Sequence, residues 1–295
     1  MHPQSVNAFF AAAEKLDLRM IAGKVMMDRN APDYLTDTAE SGYQESKALI
    51  ERWHGKGRLH YAVTPRFAPT STPEQLTLAG QLLTEYPDLY MQTHISENLQ
   101  EIQWVKELFP ERKGYLDVYD HYQLLGERSV FAHGVHLCDD ECARLAETGS
   151  AVAFCPTSNF FLGSGLFNLP MAEKHKLNVG LGTDVGGGTS FSLLQTLNEA
   201  YKVMQLQGAR LSPFKSLYLA TLGGARTLRL EHKIGTLHPG TDADFLVLDY
   251  HATPLLSYRL KQANSIAETL FVLMTLGDDR TVLQTFAAGQ QVHQR

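Results

Sequence analysis

The stretch LYMQTHISEN, residues 89–98, decides the fold. Its apolar and β-branched run is short and bounded by polar residues, which fits a strand buried on both faces of a parallel sheet, and it ends on His94 with Glu97 three residues beyond. Two further runs end the same way: SVFAHG closes on His133, and NVGLGTD on Asp184. α/β barrels carry their chemistry at the C-terminal ends of their strands. Two imidazoles and a carboxylate at such ends predict a catalytic metal centre.

Outward from these runs, strand-like and helix-like segments alternate. RMIAGKV (19–25) and RLHYAVTPRF (58–67) precede the first, and SAVAFCP (150–156) lies between the last two, giving six strands where a closed barrel has eight. Helices are expected through SKALIERWH, PEQLTLAGQLLTEY, NLQEIQWVKELF, DDECARLAETG and around MAEKHK. Thr72-Pro73-Glu74 supplies a capping hydroxyl and a first-turn proline, and Asp139-Asp140-Glu141 loads acid into a first turn. The fold class is therefore α/β with parallel strands and crossover helices.

From Ile234 the pattern changes. IGTLHPGTDADFLVLDY is turn-rich and β-prone, DRTVLQTFAAGQQV reads as a hairpin, and a helix-capable or irregular stretch separates them. The expected domains are residues 1–232, part of a barrel, and residues 233–295, a small β-rich segment.

Composition narrows the function classes. With 295 residues and 44% hydrophobic content the chain buries a sizeable core, and a formal charge of -6 leaves no basic face for nucleic acid. Apolar runs fall far short of the ~20 residues that span a bilayer, so a cytoplasmic protein without a membrane partner is expected. Cys138, Cys142 and Cys155 read as reduced packing residues. The Cys138-x-x-x-Cys142 spacing is not that of a zinc ribbon, and neither phosphate-loop pattern occurs.

A zinc-type ion brings the pKa of its water to ~7, and a neighbouring carboxylate can carry protons between that water and a substrate. His94, His133 and Asp184 suit the first task and Glu97 the second. On local evidence alone His94 and His133 also fit core histidines, Glu97 a solvated loop residue and Asp184 a helix cap before VGGGTS. Arg66 beside Phe67 offers a planar fork and an aromatic face to a flat heterocycle carrying a carbonyl, or an arginine that ties down a loop. His136 lies past its strand end and reads as facing solvent or a neighbouring loop.

Taken together, GKVMMDRNAPDYL, VTPRFAPTS, THISEN, FAHGVHL, FCPTSN, GLGTDVGGG and LATLGGA resemble, in order and along nearly the whole chain, the amidohydrolase superfamily and within it the guanine deaminases. The resemblance implies a TIM-like (β/α) barrel of the metallo-dependent hydrolase type with a small C-terminal β-sandwich part, acting in hydrolytic deamination of guanine to xanthine and ammonia. It makes His94, His133 and Asp184 ligands of one Zn2+ per chain, with Fe2+ the alternative metal. Glu97 becomes the proton shuttle, Asp184 the acceptor of the water's proton, and Arg66 and Phe67 the holders of the purine, bordered by His94 and His133. The loop FCPTSNFFLGSG, with Ser158 and Asn159, is expected to line the pocket, and a homodimer is implied.

The family's opening strand carries an H-x-H pair with two more ligands, and no H-x-H occurs in this sequence. The expectation is a chain truncated at its N-terminus, holding barrel strands 3–8, with exposed strand edges and little deaminase activity by itself. Two rival readings stand beside this one: an aminohydrolase of another heterocycle, such as a triazine or pyrimidine, and a non-catalytic remnant or complementing subunit.

Overall fold

The computed structural model describes residues 2–295, which divide into two compact units on either side of the bond between residues 151 and 152. In the first unit helix α1 (Pro3–Lys15) leads into strands β1 (Met20–Ala22) and β2 (Val25–Met26), followed by α2 (Ala39–Trp53), β3 (Leu59–Pro65), α3 (Pro73–Glu85), β4 (Tyr90–Ile95), α4 (Leu99–Leu108), α5 (Tyr115–His121), β5 (Ser129–His133) and α6 (Asp139–Glu147). Every strand pairing among them is parallel.

The run RMIAGKV is two short strands rather than one, and both pair with β3. Gly23 marks the break: a Cβ there would lie 1.7 Å from the Ala62 carbonyl oxygen, so only glycine lets the two backbones approach. Lys24 follows, 2% exposed, ion-paired with Asp37 and with Glu45, while its amide donates to the Tyr61 hydroxyl. This pinned lysine holds the chain where β2 starts.

The helices begin where their caps predict. The Thr72 hydroxyl accepts from the Gln75 amide ahead of Pro73, and Thr38 forms a capping box with Ser41. Asn98 and Glu101 form another at α4. Between strands and helices the core is filled by large side chains exposed by 1% or less, among them Tyr61, Tyr90, Tyr119 and Phe131.

The second unit opens within β6 (Ala151–Phe154) and continues through α7 (Pro156–Phe161), α8 (Leu169–Lys174), β7 (Asn178–Leu181), α9 (Leu193–Leu206), α10 (Pro213–Ala220) and α11 (Leu222–Thr227). The segment after Cys155 is thus helix α7, not loop, with Pro156 at its first turn and Ser158 and Asn159 buried. The C-terminal part holds β8 (Phe245–Leu248), α12 (Pro254–Leu260), α13 (Ile266–Leu276), β9 (Val282–Ala287) and β10 (Gln290–Gln294). Strands β8, β9 and β10 make a three-stranded antiparallel sheet, and the closing hairpin turns on Ala288 and Gly289, both at positive φ, as a two-residue hairpin requires. The stretch left open between them is helical: Leu256, Val272 and Leu273 of α12 and α13 form its buried centre. Among the described residues no helix is long and apolar enough to cross a membrane.

Candidate active site

Strand β4 delivers His94 at its penultimate position, half-buried. The imidazole Nδ1 sits 2.6 Å from the Arg66 carbonyl oxygen. A carbonyl only accepts, so Nδ1 carries the hydrogen and Nε2 keeps its lone pair for a ligand or a metal. The same carbonyl accepts from the His94 amide and the Thr93 hydroxyl, which ties the ends of β3 and β4 together at the site.

His133 ends β5 and is 1% exposed. In register it stands opposite Ile95, while His94 stands opposite Ala132. Successive strand residues face opposite sides, so regular geometry would point the two imidazoles apart. The backbone at His133 instead turns to a φ of 73°, and its ring stacks on that of His94 with centroids 5.2 Å apart. A bulky residue held in this region is strained, and such strain marks sites where a side chain must be aimed.

Asp184 follows β7, half-buried, also at positive φ, 47°. His94, His133 and Asp184 offer ligand atoms that all lie within 4.8 Å of one another. Two imidazole nitrogens and a carboxylate oxygen this close are the donor set of a catalytic zinc-type centre, which uses three protein ligands and keeps a position open. The described residues thus contain a group able to hold a metal ion. Beside Asp184, Gly187 keeps space clear, since a Cβ there would meet Ser158 Oγ at 2.6 Å and Asp184 Oδ2 at 3.0 Å.

Glu97 reaches His133, with Oε2 3.6 Å from Nε2. Its amide donates to Glu101 Oε2 at 3.1 Å, so the loop that carries it is anchored to the first turn of α4. Arg66 is exposed, and its guanidinium lies over the Phe67 ring, 4.8 Å from the centroid. Phe67 in turn meets the His94 and Trp104 rings edge-on, each at 6.2 Å. An aromatic plane, a guanidinium and an imidazole therefore stand next to one another.

Other residues fall outside this cluster. His136 is half-buried, and its amide donates to the Ser96 carbonyl. None of the three cysteines is in a disulfide: Cys142 and Cys155 are buried as packing residues, whereas Cys138 is exposed at the start of α6, where its side chain is left outside the core. Burial pushes the Cys142 thiol up to about 11, which leaves it inert.

The sequence reading missed Glu101, Tyr115 and Tyr119. The Asn98-x-x-Glu101 spacing is a readable capping signal. The two tyrosines sit one helical turn apart on α5, a helix without a cap side chain, and nothing in their local sequence sets them apart from ordinary core aromatics.

Residues 1–292 match the model of the amidohydrolase family. The chain is 60% identical to the guanine deaminase of Escherichia coli K12 over its whole length, covering 67% of that protein, and 45% identical to a probable guanine deaminase of Deinococcus radiodurans, covering 99% of this chain and 67% of the relative. It superposes on the solved E. coli guanine deaminase with a TM-score of 0.99, covering all of this chain and 69% of that one. The guanine deaminase of C. acetobutylicum, solved with guanine bound in its active site, is 30% identical with a TM-score of 0.90 over 99% of this chain and 70% of that one. The likeness covers the α/β part and the C-terminal antiparallel sheet alike. The chain spans about two thirds of the length of these relatives.

Proposed function

This chain belongs to the amidohydrolase family, and on that premise we propose that it is a guanine deaminase polypeptide, working in the hydrolytic deamination of guanine to xanthine and ammonia. One observation supports this reading above the others: two strand-end imidazoles and a carboxylate gather their ligand atoms within 4.8 Å, with a second carboxylate 3.6 Å from one of the imidazoles.

In this proposal His94, His133 and Asp184 hold a zinc ion. Bound there, the metal supplies a Lewis acid that brings the pKa of a water to ~7. The chain's own residues do the rest. Arg66 and Phe67 clamp the flat base, the ring by its face and the carbonyl by the guanidinium fork. Asp184 takes a proton from the attacking water. Glu97 delivers a proton to a ring nitrogen, so the tetrahedral carbon forms without bare charge; the amino group then takes the proton held by Asp184 and leaves as ammonia, and the new hydroxyl returns a proton to Glu97 as it becomes the carbonyl. Water and guanine are consumed, and xanthine and ammonia account for every atom. His94 keeps its aim through the Nδ1 contact to Arg66, which also binds the position of the clamp to that of the ligand.

The division into a barrel part, 1–232, and a tail, 233–295, belongs to the same proposal and is supported by the antiparallel sheet lying wholly beyond residue 244. Zinc as the metal and a homodimer rest on the resemblance to the family, and a cytoplasmic location on the shortness of the apolar runs. No H-x-H pair occurs in the 295 residues, so the test has two arms. Purified zinc-loaded chain, alone and co-expressed with the part of the E. coli relative that lies outside the match, is assayed for xanthine from guanine. Xanthine formation in either arm, lost in Glu97→Gln, is the expected result; no xanthine in both arms would overturn the assignment.

A further inference from the structure

We infer that Tyr115 and Tyr119 are positioning residues for the site, with Tyr119 setting His94 through its backbone carbonyl and Tyr115 setting Glu97 through the carboxylate of Glu101. The inference rests on the roles proposed above for His94 and Glu97.

Both tyrosines lie on α5 at an i, i+4 spacing that puts them on one face, with rings stacked at 5.6 Å and 3% and 0% exposed. The Tyr119 hydroxyl donates to the His94 carbonyl at 2.8 Å, accepts from the Ala68 amide at 2.9 Å and stands 3.2 Å from the Thr93 hydroxyl. Ala68 directly follows Arg66 and Phe67. The register pairs of β3 with β4 are Ala62 with Tyr90 and Val63 with Met91, well short of the site. One phenol hydroxyl therefore spans the two strand ends beyond their ladder, and it holds the chain on either side of the contact between His94 and the Arg66 carbonyl.

Tyr115 serves the other carboxylate. Its hydroxyl donates to Glu101 Oε1 at 2.6 Å, and Glu101 Oε2 accepts from the Glu97 amide at 3.1 Å and the Asn98 amide at 3.4 Å. A capping-box glutamate explains only part of this. Such a residue is usually solvated, whereas burying a carboxylate is costly unless it is fully hydrogen-bonded. Glu101 is 5% exposed, and burial raises its pKa. Its hydrogen bonds run to a buried phenol on one side and to the loop of Glu97 on the other. That placement fixes the turn from which Glu97 projects, in which Ser96 itself stands at a φ of 46°.

The two hydroxyls also hydrogen-bond each other, but their remaining partners differ, the His94 carbonyl and Ala68 amide for Tyr119 and the Glu101 carboxylate for Tyr115, so the larger effect of each phenylalanine variant should fall on a different readout. Both keep the rings and hence the packing. Tyr119→Phe should weaken zinc affinity, read by chelator competition, by about tenfold, the low end of what loss of an outer contact to a ligand does. It should leave hydrogen exchange in the peptide containing Glu97 and Asn98 unchanged. Tyr115→Phe should speed that exchange by about tenfold with zinc affinity intact, and in an active preparation should lower kcat with KM unchanged. Glu101→Gln, the second variant, should follow Tyr115→Phe. His94→Ala is the control: if it keeps full zinc affinity, the assignment of the metal ligands fails, not the positioning. The inference is overturned if the two phenylalanine variants move both readouts together, as a general loosening would, or if neither moves its own.

Discussion

Replacing Gly187 by alanine probes the metal group with one methyl. Gly187 does not adopt the left-handed φ that alanine would resist, so the effect is steric. The new Cβ lies 2.6 Å from Ser158 Oγ and 3.0 Å from Asp184 Oδ2. Carbon and oxygen prefer separations of roughly 3.4 Å or more, so the carboxylate oxygen must yield by about 0.4 Å unless the loop moves instead. Metal–ligand distances tolerate about 0.2 Å. A shift of twice that tolerance at one of three ligands should weaken zinc binding by about 10- to 100-fold, or about 1.4 to 2.7 kcal/mol. The assay is thermal denaturation with and without zinc at a concentration near 100 times the dissociation constant of the unaltered protein. Zinc then stabilises the unaltered protein by about 2.7 kcal/mol, and Gly187→Ala should reduce that increment to about 1.4 or less, whatever the clash with the buried Ser158 hydroxyl takes from the metal-free melting temperature. Undiminished zinc stabilisation would show that Asp184 does not bind the ion from the position seen here.

Arg66→Lys replaces a planar fork with a point charge and should weaken guanine binding by about tenfold or more in calorimetry; unchanged affinity would remove Arg66 from the purine clamp. Gly23→Ala would place a Cβ 1.7 Å from the Ala62 carbonyl, so urea denaturation should show a loss of at least about 2 kcal/mol, and a smaller loss would mean that β1 and β2 move away from β3 freely. Burial lowers the His60 pKa from 6.5 to about 4, with its ring between those of His54 and Tyr90. The unfolded chain therefore takes up that proton first, and stability should fall as pH drops from 6.5 towards 4 and level off below, a slope that His60→Asn flattens in a pH series of denaturation curves.

Several site residues were legible because chemistry interrupts a hydrophobic pattern. His94, His133 and Asp184 stand out as polar groups closing apolar runs, and the parallel-strand reading placed each at the strand end where the structure finds it or just beyond. The closing hairpin was legible from its spacing. Long-range packing was not. Nothing local shows that Gly23 splits one apolar run into two strands, because the reason is a carbonyl of β3 some forty positions on. Helix α7 was read as loop since Ser158 and Asn159 disfavour helix locally, yet burial and Pro156 at the first turn prevail. Tyr115 and Tyr119 look like any core aromatics until their hydroxyls are traced to His94 and, through Glu101, to Glu97.

The left-handed backbone at His133 and Asp184 shapes how this protein can change. Each residue sits where glycine, which has no Cβ, would rest more easily, by roughly 1 kcal/mol. Selection for heat tolerance alone would drift toward such a replacement and, if these residues hold the ion as proposed, would remove a ligand while improving the scaffold, so the two positions are places where hardiness and chemistry pull in opposite directions. A library of variants sorted only by resistance to unfolding should be enriched in glycine at these two sites, with zinc affinity falling in those variants.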